Sequence, residues 1–81
     1  MIFPENQRFI RTIEEVLAQG RAACIDDILT EINLTPQHWQ HIQQMHRRVK
    51  KFHVTRLADA YSINIIFIHL GEGKILLPAT Q

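Results

Sequence analysis

The stretch LTPQHWQHIQQMHRRVKKF, residues 34–52, decides how this chain is read. Stepped at about 100° per residue, it separates into two faces. Trp39, Ile42, Met45, Val49 and Phe52 fall on one, and Gln40, Gln43, Gln44, Arg47, Arg48, Lys50 and Lys51 on the other. The first face requires a core. The second carries amide and cationic donors with no carboxylate, which suits a partner rich in phosphates and base edges. The spacing predicts one helix across residues 35–51, with the rest of the chain supporting it.

The charge distribution along the chain points the same way. The net charge of +1 conceals a segregation. Residues 1–31 hold six acids (Glu5, Glu14, Glu15, Asp26, Asp27, Glu31) against three bases (Arg8, Arg11, Arg21). Residues 32–58 hold Arg47, Arg48, Lys50, Lys51 and Arg56 and no acid at all. The middle third is therefore a cationic surface on a nearly neutral protein, which matters more to an anionic partner than the total does. Protonation of the histidines below about pH 6.5 would add to it.

With 81 residues, 46% hydrophobic and 21% charged, the chain reads as one folded domain over 1–81, too apolar to be disordered. A core this small would gain from a partner subunit. Cys24 is the single cysteine, so no internal disulfide can form. With no basic and apolar leader at the start, a reducing cytoplasm is expected. The longest apolar run, Ile63 to Leu70, is interrupted by Asn64 and His69 and is too short to cross a bilayer as a helix, so no membrane association is expected.

Upstream of the opening stretch, Pro4 fits the first turn of a helix. Phe9, Ile10, Ile13, Val16 and Leu17 then recur at helical spacing, and Gly20 supplies a left-handed stop, giving a first helix at about residues 5–19. Ile25, Ile28, Leu29 and Ile32 form the apolar side of a second helix, whose early Asp26 and Asp27 suit the helix dipole. Cys24, at the edge of that stripe, reads as a small buried filler. Asn33 tolerates a left-handed exit, Thr35 can cap and Pro36 can open the next helix. So short a connection makes the two helices cross.

Downstream, the period is less clear. In residues 53–62, Val54, Leu57, Ala58 and Tyr61 fit a short helix, while 54–57 could equally begin a strand; the helix is preferred. Residues 63–70 are β-branched and aromatic, Gly71-Glu72-Gly73-Lys74 reads as a turn, and Ile75 to Leu77 lead to Pro78. This predicts a β-hairpin over 63–77 and a frayed tail at 78–81. The first strand, apolar on both faces, would be covered on both.

That element order resembles the winged helix-turn-helix family of DNA-binding domains. Residues 25–44 are also similar to the helix-turn-helix unit itself. The pattern asks for apolar residues at the fourth, eighth, tenth, fifteenth and eighteenth places, held here by Ile28, Ile32, Leu34, Trp39 and Ile42. Leu29 stands where a small residue is usual and Asn33 where glycine is usual. The resemblance implies an α+β fold, a three-helix winged helix-turn-helix with a C-terminal β-hairpin as wing. It further implies a transcriptional regulator that contacts double-stranded DNA, as a homodimer through the 63–70 strand or helix one.

Carried over by position, the resemblance puts Thr35, Gln37, Gln40, His41 and Gln44 toward base edges. Arg47, Arg48, Lys50 and Lys51 would meet phosphates, and Lys74 would make the backbone contact of the wing. A glutamine amide can pair with adenine's N6 and N7 edge, discriminating by roughly 1–3 kcal/mol. The alternative is a protein-interaction module of the same fold that docks an acidic partner without nucleic acid. His38 and His41 stand three apart, but their helix offers no carboxylate or thiol to complete a metal site, so neither metal nor other cofactor is expected. No phosphate-cradling glycine loop, activated nucleophile or paired catalytic carboxylates are present, so no enzymatic activity is expected.

Overall fold

The first helix, α1 (Pro4–Ala18), starts with proline at its first position and Glu5 in the first turn, and buries Phe9, Ile13 and Val16. It ends at Gly20, whose φ is +71°. There Gly20 N donates to Leu17 O (3.1 Å) and Arg21 N to Val16 O (3.0 Å). This paired closure is a Schellman motif, which satisfies the last carbonyls of the helix. The computed structural model describes residues 2–77, so the tail expected to fray at 78–81 lies outside the described residues.

The same closure ends α2 (Ile25–Glu31). Asn33 has φ +59°, its N–H reaches Thr30 O at 3.2 Å, and Leu34 N reaches Leu29 O at 2.8 Å. The Thr35 hydroxyl then accepts from His38 N (3.2 Å) and Pro36 opens α3 (Pro36–Gln43). Ile28, Leu29, Ile32, Leu34 and Ile42 are all buried, with α2 packing on α1 and α4, and α3 on α1. Trp39 packs half-buried, edge-on to Phe9, with ring centroids 6.1 Å apart.

Three expectations are corrected. The helix expected over 35–51 stops at Gln43. Met45 adopts φ +61°, Met45 N donates to Ile42 O (3.1 Å) and His46 N to His41 O (2.9 Å). This is a third Schellman closure, here on a methionine, which unlike glycine or asparagine has no leaning to the left-handed region and pays roughly 1–2 kcal/mol relative to the right-handed one. The closure is held by Asn6 on α1, which is fully buried. Its Nδ2 donates to Ile42 O (3.1 Å) and Arg47 O (2.6 Å), and its Oδ1 accepts from Val49 N (2.8 Å). Residues 44–50 are consequently a loop, and a separate helix, α4 (Lys51–Tyr61), follows it. Residues 53–61 are thus helical, as preferred over the strand.

The second correction is the fold class. Residues 65–70, expected as a strand, form α5 (Ile65–Leu70), and among the described residues there is no sheet and no wing. The hairpin survives only as an isolated antiparallel bridge between Ile63 and Leu76, flanked by Asn64 N to Ile75 O (2.9 Å) and Leu77 N to Ser62 O (2.8 Å). The architecture is all-helical rather than α+β, so the winged-helix assignment fails. With residues 65–70 helical, a homodimer cannot pair through a strand there.

Local caps and tertiary packing overrule the β propensity of this run. Asn64 Oδ1 accepts from Ile66 N at 3.1 Å, Gly71 closes the helix at φ +75°, and Arg8 Nη1 donates to Ile68 O (2.9 Å) and His69 O (3.0 Å). Ile68 is buried against the core while Ile66 and Leu70 stay exposed.

The third correction is Cys24, which is exposed at the N-cap of α2 rather than buried. No helix of the described residues is long and apolar enough to cross a membrane.

Two substitutions test these joints. Asn6→Ala orphans the buried Val49 N–H and the Arg47 carbonyl and strips Ile42 O of one of its two donors, so urea denaturation should show a loss of roughly 2–4 kcal/mol. Gly71→Ala forces a Cβ to within 3.1 Å of Arg8 Nε at positive φ. It should lower stability by about 1–2 kcal/mol, read by the same method.

Candidate nucleic-acid interface

The polar face of α3 is built from a spacing of three and four. Gln37, Gln40, His41 and Gln44 stand at i, i+3, i+4 and i+7, which places them along one side of the helix. Gln37, Gln40 and Gln44 are exposed and His41 is half-buried, whereas Ile42 on the opposite side is fully buried. Thr35 is also exposed. Its oxygen accepts from His38 N, which leaves its own hydroxyl proton available to an acceptor.

The reversal at Met45 changes where the cations fall. On a straight helix Arg47 would lie about 15 Å beyond Gln37 along the axis. Instead Arg47 joins Thr35, Gln37, His38 and His41 around one shallow hollow of about 230 Å³. Four of the expected contact residues therefore converge at the start of α3. The division into amides at one end and cations at the other does not describe this arrangement.

The remaining expected phosphate contacts are distributed differently. Lys50 is the exposed N-cap of α4 and Lys51 its exposed first residue. Arg48 is exposed but engaged: its Nε lies 3.8 Å from Glu5 Oε1 and its guanidinium stands 5.2 Å over the Phe3 ring. Lys74 does not join the α3 face. It lines a groove with Arg11, Glu15, Gln19 and Arg21 of the α1 side. Arg56, counted with the cationic middle third, donates to Glu31 O at the end of α2 (2.9 Å).

His38 and His53 are neighbours across α3 and α4, a pairing that residue spacing alone did not single out. His38 lines the hollow on one side and packs edge-on against His53 on the other, with ring centroids 5.6 Å apart. Burial foremost, then the positive surroundings of His53, Lys50, Arg47 and His41, hold His38 below its ordinary value of 6.5. The nearby His41 and His46 rings are 6.0 Å apart. Among the described residues, no three His, Cys, Asp or Glu side chains gather where they could hold a metal ion. The hollow therefore offers hydrogen-bond donors, an amide and a guanidinium, with no carboxylate on its lining.

Comparison with protein-family models, with curated proteins and with solved structures found no match to this chain.

Thr35→Ala removes the cap of α3 and should cost about 1 kcal/mol in thermal or urea unfolding, with the helix start losing order first.

Proposed function

We propose that this chain is a binding domain for double-stranded DNA that places the start of α3 in the major groove and sets the 44–51 segment against the phosphate backbone. The observation that carries this reading is the hollow where Thr35, Gln37, His41 and Arg47 meet. Base-reading and phosphate-binding groups stand side by side there, in a span of sequence without any acid. The short turn between α2 and α3 supports it, since helix-turn-helix proteins present the first residues of their second helix to base edges. Gln37, Gln40 and Gln44 then read bases, while Arg47, Lys50 and Lys51 hold phosphates. No wing takes part. The reading includes no catalytic step, and places the protein in the cytoplasm, where a single exposed thiol stays reduced.

A docked acidic protein is the competing reading, favoured by Phe52, which is 54% exposed immediately after the cations. Fluorescence anisotropy with duplexes of random sequence separates the two. Binding at about 50 mM salt should weaken steeply toward about 200 mM. Arg47→Ala or Lys50→Ala should each lower the logarithmic salt slope by about one unit. Gln40→Ala should instead change sequence preference with little effect on the slope. If no duplex is bound at the lower salt and the Arg47 and Lys50 variants behave as the parent does, the DNA reading is wrong.

A further inference from the structure

The contact between His38 and His53 joins α3 to α4 directly behind the hollow. His53 is 5% exposed, and its Nδ1 lies 3.0 Å from Ile32 O in the turn between α2 and α3. A carbonyl can only accept, so that nitrogen carries the proton. His38 meets this ring edge-on, at 85° between planes. Its Nε2 is buried and has no hydrogen-bond partner among the described residues. As a bare acceptor, that nitrogen forgoes one weak hydrogen bond. As an N–H in a charged ring, it would be a buried donor without an acceptor, a much costlier state. Every charged or titratable group facing it is cationic when charged: His53 of α4, Lys50 at the α4 N-cap, Arg47 of the loop and His41 of α3 itself.

We propose that His38 is an acid-sensitive latch: neutral, it seats α3 against α4, and protonated, it loosens α3 and with it the face that carries Thr35, Gln37, Gln40 and Gln44. The latch is independent of what that face binds. Its pH window follows from linkage. Well above pH 6.5 the ring is neutral in folded and unfolded chains alike, so it contributes no pH dependence. Below 6.5 the unfolded chain takes up the proton while the folded one resists, so stability falls as pH falls, until the lower folded value is reached.

The chain's single tryptophan, Trp39, sits on α3 next to His38 and reports on its seating. As pH falls through this window, Trp39 emission should shift to the red and the urea midpoint should drop. In an NMR titration the His38 ring should show a midpoint below 6.5. His38→Phe keeps an aromatic edge against His53 but cannot titrate, so it should keep its emission and lose less of its urea midpoint over the same range. The proposal is overturned if the His38 midpoint lies at or above 6.5, or if folded His38→Phe shows the parent's full pH response. Should His38→Phe fail to fold, the parent's NMR titration read with its emission decides. A low midpoint with a concurrent red shift supports the latch; a pH-independent emission overturns it.

Discussion

The side-chain amide of Asn6 is the constraint on which the shape of the site depends. One buried group, fixed on α1, donates to Ile42 O and Arg47 O and accepts from Val49 N. These bonds reach across more than thirty-five residues of sequence, to the last turn of α3 and to the loop beyond it. They supply partners for backbone groups that a continued helix would have satisfied internally, and so make the stop at Gln43 tolerable. They also offset the left-handed strain at Met45. Without this reversal, Arg47 would project along the helix axis and away from Thr35 and Gln37. The electrostatics of the hollow therefore begin with a neutral residue on another helix.

Cations are divided between structural and exposed duties by the same logic. Arg8 donates to Ile68 O and His69 O at the end of α5, Arg21 to Tyr61 O (2.6 Å) at the end of α4, and Arg56 to Glu31 O at the end of α2. Each guanidinium meets carbonyls that the helix leaves unpaired, at the end where the dipole favours positive charge. Arg21 also reaches Leu77 O at 3.0 Å, tying the segment after α5 back to the end of α1. With those three engaged and Arg48 beside Glu5, the cations of the middle third left facing solvent are Arg47, Lys50 and Lys51. A net charge of +1 is thus compatible with a local positive surface, because Arg8, Arg21 and Arg56 serve helix ends rather than that surface.

Much of the first half was legible because its signals are local. Pro4, Gly20, Asn33, Thr35 and Pro36 each do what their backbone preferences dictate, and the apolar residues between them are buried. Met45 was illegible for the opposite reason: methionine carries no turn preference, and the helical period runs smoothly through Val49 and Phe52. Only a partner forty residues upstream explains the break. Residues 63–70 were misread although local signals were available. Asn64 before the run and Gly71 after it are helix start and stop residues, and β-branched composition outweighed them. The amide and cationic residues of the site were visible in sequence, but their convergence was not, since it depends on that break. Cys24 was misplaced because it stands beside an apolar stripe, on the residue that caps the helix rather than within it.

The start of α3 is also where the fold is least self-consistent, and that bears on what it is for. Elsewhere several charges have partners: Glu5 lies 3.1 Å from His69 and near Arg48, and three arginines hold carbonyls. Around His38 the chain assembles Arg47, Lys50, His41 and His53 with the positive end of a helix dipole, and residues 32–58 contribute no acid to balance them. Nothing in packing the core requires this, because Arg47 and Lys50 are exposed and could be neutral at no loss of buried contact. On the proposed reading, the phosphates of DNA would meet cations there that no acid within residues 32–58 opposes.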